Sequence, residues 1–339
     1  MSIFRYVAPA LGIAIALATN GAYARLPVHH LDNGTIRASV TEAIGGRLLS
    51  FGLVGKPNFL LVKETAGDPH APVDATTNNI GYLGHEVWIG PQSQWWQHQS
   101  VNPARAAAKA PWPPDPYLSL ARYTITSHSD RQIELDSPAS PVNGIALRKR
   151  YSLVEGQPNT LELQADATNR RATEVAWDLW FNTRVRPDTM VYVPVAAKED
   201  VRIEPAAALP YKLQDGVLSL DLPQRGQAAR KGKLFAQPSA GWMAGFHGGQ
   251  AFIVQFAHQP RAAIHPEQGQ VELYLDADPA TPDQGLLEME VHAPYLRLAP
   301  NESMAASERW TILPYDGPAT REGHIAFLRK QAARLGLDG

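Results

Sequence analysis

The chain has 339 residues, a formal net charge of −2, 44% hydrophobic residues and no cysteine. A nearly neutral surface with scattered charges argues against nucleic acid or an anionic membrane as a partner. The absence of cysteine excludes disulfides, thiol catalysis and cysteine metal sites.

In chain order, residues 1–24 read as a secretory signal peptide. Arg5 supplies the positive start, 7–18 is an apolar run, and Ala22-Tyr23-Ala24 gives a small-x-small cleavage site. About a dozen apolar residues fall short of the ~20 that span a bilayer. The expectation is a periplasmic or secreted protein beginning at Arg25, with no membrane insertion after cleavage. Residues 25–339 are then expected to form one domain. β-rich runs follow at 35–42, 47–54, 58–62, 121–127, 132–136, 145–153, 160–168, 174–183, 190–195, 217–222, 241–246, 251–257, 271–276, 286–292 and 306–313. Turn residues separate them and no βαβ alternation is present. The pattern predicts an all-β fold, a large antiparallel two-sheet sandwich. Two short basic runs, Arg148-Lys149-Arg150 and Arg230-Lys231-Gly232-Lys233, read as solvated strand or loop faces. The stretch 110–117 (APWPPDPY) reads as a long loop carrying Trp112. One helix is predicted at the C-terminus. It is capped by Thr320, puts Ile325, Leu328, Ala332 and Leu335 near one face, stops at Gly336, and is expected on the edge of the sandwich.

No phosphate loop, dinucleotide fingerprint, nucleophile elbow or HExxH motif is present, and no histidines pair at i,i+4. No cofactor and no metal are expected. The most informative stretch is 84–96 (GHEVWIGPQSQWW), which gathers Trp88, Trp95 and Trp96, three of eight tryptophans, with His85, Glu86 and Gln92. Flat aromatic faces beside amides and carboxylates suit a sugar ring, whose C–H faces stack while its hydroxyls hydrogen-bond. The same tryptophans suit the end of a sandwich core. In 286–294 (LLEMEVHAP), strand alternation sends Leu287, Met289 and Val291 to the core and Glu288, Glu290 and His292 to the opposite face. Crowded carboxyls beside an imidazole can transfer protons. The alternative is a solvated strand face. Asp178, Trp180 and Asn182 form a comparable set on 174–183. His247, before Gly248-Gly249, and His85 and His98, flanking the tryptophans, are the candidate acids.

These residues resemble a family. Asn33-Gly34 and the hairpin Gly45-Gly46-Arg47-Leu48-Leu49-Ser50-Phe51 look like the first hairpin of galactose mutarotase-like proteins. Residues 84–92 are similar to the glycine-to-Pro-Gln segment of hexose-phosphate mutarotases. Leu287-Glu288-Met289-Glu290, then Pro294 and Leu298-Ala299-Pro300-Asn301-Glu302, resemble that superfamily's C-terminal glutamate strand and turn. The chain most resembles a bacterial family of unknown function with this fold, which shares the G-x-x-x-W-x-x-P-Q and C-terminal E-x-E/Q…P segments. The resemblance implies a β-supersandwich with a sugar-sized groove, in which a glutamate takes the anomeric proton and a histidine protonates the ring oxygen. Glu288 matches the base, one residue further from its proline than usual, which leaves Glu290 as a rival. Arg47, Trp88, Gln92, Trp95, Trp96, Asp178, Trp180 and His292 are the candidate substrate contacts. Three readings stay open: an epimerase-like enzyme, a non-catalytic glycan binder, and a structural envelope protein. Glu288, Glu290 and 84–96 are expected to converge on one concave surface, which the enzyme reading needs before the binding one does.

Overall fold

Alternating apolar residues pair strand after strand in the computed structural model, which describes residues 26–63 and 71–337. The expected signal peptide lies outside the described residues. Two ten-stranded sheets form, with every pairing antiparallel. The first sheet runs His29–Asp32, Ile36–Thr41, Arg47–Leu53, His85–Gly90, Val175–Val185, Leu286–His292, Val271–Ala277, Arg230–Ala236, Val201–Glu204, with Leu296–Leu298 also on Val175–Val185. The second runs Tyr211–Gln214, Val217–Leu220, Met190–Pro194, Trp242–His247, Gln250–Phe256, Ser303–Pro314, Thr160–Asn169, Ile145–Leu153, Gln132–Asp136, Thr124–Ser129.

The period-two pattern explains the sandwich, because each strand offers one apolar face and the two faces meet. Leu179, Phe181, Leu273, Leu287 and Met289 from the first sheet share one core with Leu147, Leu163, Trp310 and Ile312 from the second. The segment His85–Gly90 is a strand in the middle of the first sheet. Residues 58–62 make only isolated bridges, Leu60 to Val185 and Val62 to Leu83.

The C-terminal helix, Arg321–Leu335, begins at Thr320, whose side chain accepts from the Gly323 N–H, and ends at Gly336 in the left-handed conformation, φ 65°. It lies on the outer face of the second sheet rather than at its edge. Ala244, Phe246, Ala251 and Ile253 point outward there, and Ile325 and Leu328 cover them. An apolar stripe on an outer face needs such a cover. The first sheet's outer face is covered differently. Trp95 and Trp96, following Pro91, pack with Trp88, Trp180 and Val142. That cover creates the site described next.

Candidate functional site: a covered polar nest on the first sheet

Register brings four strands' outward residues together. Glu86 faces Asn182 and Trp88 faces Trp180 across one pairing. Glu290 faces Asn182, His292 faces Trp180, and Glu288 faces Arg184 across the next. Glu272 then faces Glu290, and Tyr274 faces Glu288. Glu86, Asn182, Glu290 and Glu272 therefore form a polar row across the sheet, on the side opposite Val87, Phe181 and Val291. None of these four is exposed by more than 2%. Gly90 closes one end: a Cβ there would come within 2.5 Å of both Asp178 Oδ1 and Gln268 Nε2.

Charges this deep require partners. Arg47 donates from Nη2 to Glu86 Oε2 at 2.9 Å and from Nη1 to Oε1 at 3.2 Å. Arg184 bridges two acids, Nη1 to Glu86 Oε1 at 2.6 Å and Nε to Glu288 Oε1 at 2.8 Å, and lies over the Trp88 ring at 4.6 Å. Burial alone would raise the Glu86 carboxyl, but the Arg47 and Arg184 guanidiniums pull it down to about 2. Lys233 pairs with Glu272 Oε1 at 2.5 Å, donates to Gln92 Oε1 at 3.2 Å, and sits over the Trp180 ring at 5.3 Å. Burial opposes its charge, and the Glu272 carboxylate more than offsets that, so its pKa rises. His292 Nε2 meets Glu272 Oε2 at 3.2 Å and its Nδ1 meets the Gln268 amide at 2.9 Å. Burial disfavours the imidazolium, yet the Asp178 and Glu272 carboxyls outweigh it and raise the pKa.

The two facing carboxyls of the row diverge. Burial holds the Glu290 carboxyl well above the ordinary carboxylate range, reinforced by Glu272 and Glu288. Glu272 is held low against its own burial by Lys233 and His292. Neighbouring acids driven apart in this way supply one proton donor and one carboxylate on the same face. Among the described residues, the nest also contains buried side-chain atoms with no hydrogen-bond partner: Trp88 Nε1, Trp180 Nε1, Asn182 Oδ1, Glu290 Oε2, Asp178 Oδ2 and Gln268 Oε1. Each such atom costs about 1–3 kcal/mol when left unmet.

Of the expected site residues, Glu288, Glu290, His292, Asp178, Trp180, Trp88 and Gln92 meet in this nest. Trp95 joins its wall, edge-on to Trp88 at 5.4 Å. Trp96 does not: its Nε1 donates to Pro113 O at 2.7 Å and Arg105 stacks on it at 4.4 Å, so it anchors the covering loop. Arg47 is saturated by Glu86 and by the carbonyls of Ile44, Leu83 and Ser119, which leaves no donor for a ligand. None of the three candidate histidines is there. His85 points the opposite way from Glu86, into the core, where its Nδ1 meets Thr183 Oγ1 at 2.9 Å and its ring meets Trp310. His98 is exposed in a turn. His247 lies on the second sheet, 3.5 Å from Asp188, and lines a separate groove of about 510 Å³ with Asn58, Leu61 and Arg186.

Lys233 corrects the reading of 230–233 as a solvated run. Arg184 and Glu272 were missed although alternation pointed to them. Extending 174–183 by one residue adds Arg184 to the phase of Asp178, Trp180 and Asn182, and VELYLDA puts Glu272 outward by the same period.

The sequence profile of the domain of unknown function DUF4380 matches residues 27–313. A search of curated proteins finds no match. Among solved structures, a candidate aldose 1-epimerase from Klebsiella pneumoniae aligns with 91% of this chain and 82% of its own, at 13% identity and TM-score 0.56. A galactose mutarotase-like protein from Lactobacillus casei aligns with 85% of this chain and 100% of its own, at 12% identity and TM-score 0.52. Another from Clostridium acetobutylicum aligns with 86% and 96%, at 8% identity and TM-score 0.51. Likeness at these identities concerns the fold, which hosts more than one function. By the match over residues 27–313, the chain belongs to the DUF4380 family, and its two sheets have the galactose mutarotase-like fold.

Proposed function

We propose that this protein binds a sugar in the nest on the first sheet and interconverts its anomers, and that it does so after export. The observation that supports the ligand class is the set of buried atoms without a hydrogen-bond partner among the described residues: two indole N–H donors and four oxygens beside two aromatic faces. A ring bearing several hydroxyls, each both donor and acceptor, complements such a mixed set. The raised Glu290 carboxyl supports the acid half of the chemistry, and the neighbouring Glu288 carboxylate, paired with Arg184, is the base of the other half. Glu290 gives its proton to the ring oxygen while Glu288, on the more exposed side, takes the anomeric hydroxyl proton. The ring C–O bond opens to the aldehyde, and closure on the other face returns both protons. Glu290 thus takes the acid role expected of a histidine. Export rests on the N-terminal pattern of residues 1–24 and is checked by N-terminal sequencing of the native protein, which should begin at Arg25.

Calorimetric titration of the purified protein with glucose, galactose, mannose and xylose tests the binding. Polarimetry of freshly dissolved single anomers tests turnover. Glu288→Gln and Glu290→Gln should each keep most of the affinity and lose the acceleration. Sugar binding without any acceleration by the parent protein would remove the catalytic half, and no binding at all would remove both.

A further inference from the structure

The cover over the nest carries one feature that binding of a single ring leaves unused. Trp112 is 50% exposed, whereas the other large exposed apolar side chains among the described residues are three valines and one leucine. Its ring centroid lies 6.3 Å from Trp88 and 6.2 Å from Trp95. Trp88 in turn meets Trp180 edge-on at 5.0 Å, and Trp180 lies over His292 at 4.8 Å. An aromatic path therefore runs from the surface to the buried polar row. The loop that presents Trp112 is fastened on both sides: Gln92 Nε2 donates to Pro111 O at 3.0 Å and Trp96 Nε1 to Pro113 O at 2.7 Å. Asp115 then caps the next short helix through Tyr117 N and accepts from Ser140. A face held in place this way loses little freedom when something stacks on it.

The charges of the nest set a second condition. Arg47, Arg184 and Lys233 are each committed to carboxylates. The oxygens without a hydrogen-bond partner among the described residues belong to Asn182, Glu290, Asp178 and Gln268. A phosphate or carboxylate on the ligand would meet oxygens of like character and, among the described residues, no uncommitted cation in the nest.

We infer, on the basis of the sugar reading above, that the ligand is the end of a neutral glycan chain whose terminal ring enters the nest and whose second ring stacks on Trp112. Trp112 is then an outer subsite that sets chain length and takes no part in the chemistry of the terminal ring. A ring stacked on one exposed indole adds about tenfold in affinity.

The test is a chain-length series titrated into the full protein. Glucose, galactose, mannose and xylose are each compared with their own di- and trisaccharides and with the 6-phosphate or uronic acid. The disaccharide of the accepted sugar should bind about tenfold tighter than the single sugar. The charged forms should bind at least tenfold more weakly than the neutral sugar. Trp112→Ala should erase the disaccharide advantage and leave the monosaccharide unchanged. Equal affinity for one ring and two, or an equal loss for both in Trp112→Ala, overturns the outer subsite while leaving sugar binding intact. Tighter binding of a phosphate or uronate overturns the neutral class. No binding by any sugar overturns the parent reading and this one with it.

Discussion

Replacing Glu308 by glutamine should flatten part of the protein's pH dependence of stability. Glu308 lies on Ser303–Pro314 opposite Leu163 and Phe256, and it is 1% exposed. Its Oε2 accepts from Trp310 Nε1 at 2.8 Å, and its Oε1 has no partner among the described residues. Burial raises its pKa from 4.5 to about 8, opposed only by the Trp310 hydrogen bond. The folded state therefore holds this proton more tightly than the unfolded chain. The stability it confers is complete below pH 4.5 and is lost as pH rises through about 8. At about 1.4 kcal/mol for each pH unit over which the states differ by one proton, the loss sums to about 5 kcal/mol. Glu308→Gln keeps the acceptor for Trp310 and removes the titration. Urea unfolding of parent and variant from about pH 5 to about pH 9 measures the effect, and the variant should gain on the parent by several kcal/mol across that window. A stability difference that stays constant with pH would refute the reasoning.

Lys149 should act in the opposite sense. It donates to Gly45 O at 2.8 Å from the core side of Ile145–Leu153, and burial lowers its pKa from 10.5 to about 7. The unfolded chain binds this proton more tightly, so stability should rise with pH between about 7 and 10.5, and Lys149→Met should abolish that rise in the same unfolding series. Arg184→Met should cost about 3–5 kcal/mol, because Glu86 keeps one guanidinium and Glu288 keeps none. A loss below about 1 kcal/mol, the usual worth of an exposed ion pair, would count against its bridging role.

The sandwich was legible because period-two alternation is a local property, and most of its strands carry it. Leu287, Met289 and Val291 against Glu288, Glu290 and His292 already divides one strand into a core face and an outward face. Alternation does not say whether the outward face is wet. Here a loop from elsewhere in the chain covers it, and residues 91–117, broken by prolines, have no period from which the cover could be read. The histidines show a different failure. Residue types alone decide the reading of 84–96, and strand parity would send His85 and Glu86 to opposite faces. Lys233 shows a third. Basic residues clustered in sequence look solvated, yet Lys231 reaches exposed Asp276 while Lys233 reaches buried Glu272. The two lysines share one strand face and differ only in how far along it the cover extends. Buried carboxylates cannot persist without cations close by, so a row of outward acids on neighbouring strands is itself a reason to look for basic residues in the same phase nearby. Arg184 and Lys233 satisfy that condition, each on the outward face of its strand.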